Sequence, residues 1–176
     1  MAAGSDKHVH DMVKKRTPRN CHWMSEMHEP SEAERLEQMG TRLGYLGLIP
    51  FVAGAITALV SEELANVALQ AFILYSLGIL SFMGGIHWGL ALVMGTRQSM
   101  RLLISVIPVL IAWGCLMALP AQFAIAVIGG MYIAQWFVDR PIFDELPIPM
   151  WYTDMRPRLA YTAAGCHLFM LFRLMA

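Results

Sequence analysis

Charge is what most of this chain lacks. Residues 43–60, 64–94, 102–119, 121–138 and 159–175 together contain a single Lys, Arg, Asp or Glu, which is Arg173. A segment needs about 20 predominantly apolar residues to cross a bilayer, and each of these runs approaches or exceeds that length. The whole chain of 176 residues is 57% hydrophobic and only 15% charged. Soluble domains average roughly 45–50% and about 25%. A water-soluble globular fold is therefore excluded. Cysteine is also scarce. Cys21, Cys115 and Cys166 show no paired spacing, so a disulfide framework or a thiolate metal site is not expected. A phosphate-binding glycine loop, a dinucleotide fingerprint and a hydrolase triad are all missing. Net charge is zero, which gives nucleic acid no basic surface to bind.

What remains is an all-α integral membrane bundle of five transmembrane helices over the runs just named, in a membrane domain of residues 43–176. Residues 1–30 read as a disordered cytoplasmic tail, and residues 31–42 as an interfacial helix. Ser31 and Glu34 have the spacing of a capping box at its start. Seven of the 13 basic residues fall in the tail and the interfacial helix. Two lie between the second and third spans and three after the fourth, whereas the other two loops carry none. By the positive-inside rule this puts the N-terminus in the cytoplasm and the C-terminus outside. The first apolar run lies behind a long charged tail, so no cleaved signal is expected. A bacterial inner (cytoplasmic) membrane is the simplest address, and the mitochondrial inner membrane is the alternative.

The second span holds the most informative residue. His87 lies inside an apolar run, and an ionisable group in hydrocarbon is costly enough to mark a candidate site. On a helical wheel Gly78, Ser81, Gly85 and Gly89 share one face, the small-residue surface that lets helices approach closely. His87 falls on the opposite face with Ser76, Leu80, Gly84 and Ala91. If the second span ends near Met94 and the fifth starts near Leu159, His87 and His167 sit at similar depth, about 10 and 12 Å from the inner boundary. Tyr132, Gln135, Trp136 and Trp88 then join them around an inward-facing pocket. A 20-residue inner loop from Asp139 to Arg158, spaced by prolines, covers it with Asp139, Arg140, Trp151, Tyr152, Asp154 and Arg156.

The plainest reading of both histidines is hydrogen bonding between helices. A small-molecule or proton site around His87 is the alternative. A haem held by both imidazoles is disfavoured, because Trp88 and Trp136 leave little room, so no cofactor is expected. No metal is expected either: His8, His10, Cys21, His22, Met24, Met27 and His28 in the tail are soft ligand types but lack a binding spacing.

The run Ile79-Leu-Ser-Phe-Met-Gly-Gly-Ile-His-Trp-Gly89 resembles the signature of the transmembrane protein 69-like family, also described as domain-of-unknown-function family 3429. Leu48-Ile-Pro-Phe51, and Trp151-Tyr152 followed by Arg156, are similar to further parts of its pattern. The resemblance runs from about residue 40 to the C-terminus. It implies a small multi-pass protein of bacterial inner membranes or mitochondria without an established activity. It also implies that Phe82, Gly84, Gly85, His87, Trp88, Gly89, Trp151, Tyr152 and Arg156 are family-type positions, while His167 is not. The absence of a catalytic constellation, the small size and the small-residue faces predict a non-catalytic accessory or assembly protein that packs against a larger membrane complex. Its expected partners are the lipid bilayer and another membrane protein or a second copy of itself. The alternative is a binding or transport protein with a pocket at His87; a haem or quinone redox protein comes third.

Overall fold

The computed structural model describes residues 31–94 and 99–176, so the histidine- and methionine-rich tail lies outside the described residues. Among the described residues there are six helices and no strand: α1 (Glu32–Leu46), α2 (Ile49–Val60), α3 (Glu62–Met94), α4 (Ser99–Ala118), α5 (Ala121–Glu145) and α6 (Met150–Met175). The all-helical bundle expected from the charge-free runs is what forms.

Local chemistry explains the breaks. The Glu34 amide donates to Ser31 Oγ at 3.3 Å and the Ser31 amide to Glu34 Oε2 at 2.7 Å, so α1 starts on a reciprocal capping box. α1 and α2 are separated by a turn at Gly47 and Leu48. Pro50 occupies the first turn of α2, where the missing N–H would have had no helical acceptor. Ser61 separates α2 from α3, and its hydroxyl accepts the Leu64 amide at 3.3 Å.

Residues 37–176 form one compact unit. Within it each helix from α2 onward packs on the next. α6 returns to α2, which closes the ring, and α3 touches α5 across it. The core is Phe51, Phe72, Leu80, Ile125, Ile128, Tyr132 and Met170, all essentially inaccessible. Gly84 lets α3 lie directly on α4, since a Cβ there would run into the Ser105 carbonyl. The outside is apolar as well. Leu74, Phe82, Val93 and Met117 are about as exposed as a side chain can be on a helix. A surface of that kind calls for lipid rather than water. Glu32–Val60, Glu62–Met94, Met100–Ala118 and Ala121–Glu145 are long and apolar enough to cross a membrane. α6 has the length, at 26 residues, but is more polar because Asp154, Arg156, Arg158 and Arg173 lie along it.

The expected 20-residue loop does not exist. Asp139 and Arg140 belong to α5, and Trp151, Tyr152, Asp154 and Arg156 belong to α6, which leaves residues 146–149 as the connection. Prolines suggested an extended segment, but two of them sit within helices. Pro141 lies inside α5, Pro149 caps α6 and Pro157 lies inside α6. A bundle tolerates the lost backbone bond when neighbouring groups re-satisfy the carbonyl. α6 therefore starts at Met150 rather than Leu159, which moves its origin by about 14 Å at 1.5 Å per residue.

Candidate functional site

That shift separates the two histidines. His167 meets Ser76 on α3, whereas His87 lies eleven residues farther along the same helix, about 16 Å away by helical rise. Eleven residues is close to three full turns, so Ser76 and His87 point from the same face of α3 into the bundle at two levels. A metal held by imidazoles needs nitrogens about 2 Å from it, so the two rings do not share an iron. The single inward-facing pocket expected from equal depth is instead two buried polar clusters.

The first cluster is neutral and closed. His167 Nδ1 donates to the Ala163 carbonyl at 2.8 Å, which leaves Nε2 to accept the Ser76 hydroxyl proton at 2.8 Å. Tyr132 donates to the Ser76 carbonyl at 3.0 Å. Every proton has an acceptor with the imidazole uncharged. Phe51, Phe72 and Tyr132 surround the ring with centroids 4.7–5.6 Å from it. Gly129 makes room for it, because a Cβ there would lie 2.8 Å from His167 Cβ.

The second cluster carries charge. Asp139 on α5 is its hub, only 4% exposed. Its Oδ2 accepts Arg156 Nε from α6 at 2.6 Å. Its Oδ1 lies 2.7 Å from His87 Nε2 on α3 and 3.0 Å from the Gln135 amide nitrogen. Gln135 and Asp139 are four residues apart on α5, which puts them on one helix face. Three helices are thus tied through one carboxylate. Burying an unpaired charge is prohibitive, whereas a paired and hydrogen-bonded one can be accommodated.

Two atoms in this cluster are left over. His87 Nδ1 is buried without a hydrogen-bond partner, and so is Arg156 Nη2. The latter is nonetheless 2.6 Å from Asp139 Oδ2, an ion-pair contact to the oxygen that also accepts Arg156 Nε. The Gln135 amide nitrogen lies 2.7 Å from His87 Nε2, so imidazole, amide and carboxylate meet within 3.0 Å of one another.

A cleft of about 120 Å³ lies between the two clusters. Leu43 and Leu48 from α1 and the following turn, Phe51 from α2, Phe82 from α3, Tyr132 from α5 and Arg156 from α6 line it. The remaining candidates fall elsewhere. Trp88 is exposed, and Trp136 is half-buried against Phe143 with ring centroids 6.0 Å apart. Tyr152 stacks edge-on to Phe143 and to Trp151. Trp151 fills the notch at Gly40. Asp154 and Arg140 are exposed. Gly78, Gly85 and Gly89 have nothing within 4 Å of a would-be Cβ, so their face of α3 is open. No group of three or more His, Cys, Asp or Glu side chains among the described residues is arranged to hold a metal ion.

The sequence reading missed the hub. It placed Asp139 in a loop and Arg156 near the surface. The Gln135–Asp139 spacing was the available signal, hidden by the proline at 141.

Residues 36–172 match the family model described as protein of unknown function (DUF3429). The chain belongs to this family. It is also similar to Transmembrane protein 69 of Xenopus tropicalis, with 32% identity over 126 residues, which is 69% of this chain and 49% of that protein. The chain thus spans about half the length of the curated relative it matches. No solved structure matches. Composition, helices and family agree on a multi-pass membrane protein. Within the matched residues, Asp139 joins His87, Gln135 and Arg156.

Proposed function

We propose that this family member is a small-molecule- or proton-binding membrane protein whose centre is His87, Gln135, Asp139 and Arg156. One observation carries the reading: a buried carboxylate is shared by an arginine and a histidine from different membrane-length helices. Packing between helices does not call for a buried imidazole nitrogen without a partner. Ionisable residues retained inside a membrane protein mark proton or ligand paths more often than they add stability. The test is infrared difference spectroscopy of the purified protein in detergent as pH is stepped across the range in which it stays folded. A carboxyl signal that rises on acidification and vanishes in Asp139→Asn supports the reading. A folded protein whose Asp139 never changes form overturns it.

A second reading has its own support. The open face of Gly78, Gly85 and Gly89 is suited to close approach by a helix of another protein, as an accessory or assembly factor on a larger membrane complex would need. Affinity purification in mild detergent should then recover a stoichiometric membrane partner that Gly85→Leu releases. A clean monomer from native membranes counts against it. The alternation of basic loops favours an N-terminus on the cytoplasmic side, and a bacterial inner membrane is the simplest address. Reporter fusions to the C-terminus that are active only outside the cytoplasm would agree, and activity only inside would reverse the orientation.

A further inference from the structure

The end of the bundle opposite the charged cluster holds a groove of about 310 Å³, formed where α2 ends, α3 starts and α6 ends. Ligand sites typically occupy about 300–1,000 Å³. Two residues of opposite charge line this groove: Arg173 in the last turn of α6 and Glu62 in the first turn of α3. Among the described residues no ion pair joins them. Arg173 instead donates from Nε to the Ala58 carbonyl at 3.1 Å. That carbonyl is one of those the end of α2 leaves without a helical donor. The bond holds the guanidinium in place, and its Nη1 and Nη2 make no hydrogen bond among the described residues. Glu62 is exposed, and a carboxylate at a helix start is favoured by the helix dipole. The groove thus presents a fixed cation and a separate anion.

Its lining changes character with depth. Glu62, Asn66 and Leu69 follow one another on a single face of α3, at spacings of four and three residues. On α6, Met170 lies one turn deeper than Arg173. Both helices therefore pass from charged at the rim to apolar below it. The rim is where membrane-length helices end, which is the depth of lipid head groups. A molecule with a charged head and an apolar body, oriented as a phospholipid is in its leaflet, matches that order.

Charge narrows the head group. An anionic head would meet Arg173 but also Glu62 and its neighbour Glu63, two like charges against one opposite. A head group that carries both signs suits both walls. Its phosphate accepts from the guanidinium, whose planar fork fits phosphate oxygens. Its primary ammonium donates to Glu62, which a quaternary ammonium cannot do because it has no N–H.

We infer that this groove binds a zwitterionic phospholipid with a primary amine, of the phosphatidylethanolamine class. The phosphate rests on Arg173, the ammonium on Glu62, and the acyl chains run along Leu69 and Met170. Arg173 is about 26 Å along α6 from Arg156 at 1.5 Å per residue, so the site is separate from the Asp139 cluster and does not depend on what that cluster binds.

The experiment is thermal unfolding of the full chain, delipidated in mild detergent, with dioleoyl-phosphatidylethanolamine as the probe. The phosphatidylcholine and phosphatidylglycerol of the same acyl chains, and tail-free glycerophosphoethanolamine, are the comparisons. Saturating phosphatidylethanolamine should raise the midpoint by about 5 °C or more, and no comparison should match it. Glu62→Gln should keep the unliganded midpoint within about 2 °C, as a surface change does, and bring phosphatidylethanolamine down to the level of phosphatidylcholine. Arg173→Gln should weaken binding of both. If Arg173→Gln fails to fold, Glu62→Gln decides. Phosphatidylglycerol or phosphatidylcholine matching phosphatidylethanolamine overturns the inference, and so does an unchanged preference in Glu62→Gln. An equal shift from glycerophosphoethanolamine overturns it too, since the ligand would then be a soluble phosphoamine rather than a lipid.

Discussion

Two histidines point into this bundle, and α3 presents a partner face to both, yet they are used differently. His167 sits among aromatic rings with both nitrogens matched, so its level of the bundle is neutral and closed. His87 sits against a carboxylate with one nitrogen matched and one left over. Both are equally buried. Burial therefore does not decide what an intramembrane histidine is for. The decisive question is whether its hydrogen bonds can all be satisfied in one protonation state. At His167 they can, and at His87 they cannot.

This contrast can be broken most forcefully at Asp139. Asp139→Ala leaves Arg156 buried and unpaired, and breaking a buried pair costs about 3–5 kcal/mol. Thermal unfolding in detergent should show a large fall in midpoint or a failure to accumulate in the membrane. His167→Ala removes the bonds to Ser76 and Ala163 and opens a cavity beside Phe72. A loss of about 2–4 kcal/mol is expected, with the acid-dependent infrared signal of Asp139 unchanged. If that signal disappears in a folded protein, the two clusters are coupled and the contrast is wrong. His87→Ala should cost less stability, because its Nδ1 has no bond to lose, yet it should alter the infrared signal of Asp139, whose Oδ1 loses a partner. The smallest pair of effects compares two adjacent glycines. Gly84→Ala forces α3 away from Ser105 and should cost about 1–3 kcal/mol. Gly85→Ala meets open space and should stay within about 0.5 kcal/mol.

Much of this was legible from residue order. Charge-free runs marked the helices, and the wheel placed Ser76, Leu80, Gly84, His87 and Ala91 on the inward face of α3, where they are buried. Depth was not legible, because it depended on where α6 begins. Pro149 and Pro157 look alike in a sequence, but one caps the helix and the other lies within it. Whether a helix continues through proline depends on neighbours that satisfy the freed carbonyl, a tertiary property. For the same reason Asp139 looked like a loop acid. The open glycine face was visible, but what it faces was not, since small residues serve packing and exposure equally well.

The turn between α1 and α2 bears on how those two helices are joined. Tyr75 donates its hydroxyl proton to the Gly47 carbonyl at 2.7 Å, and residues on both sides of that carbonyl form one wall of the cleft. That single bond ties the turn to α3 and so sets the angle at which α1 meets α2. Tyr75→Phe should loosen that joint without disturbing the buried clusters, which would show as faster amide hydrogen exchange around Leu48 than in the rest of the bundle.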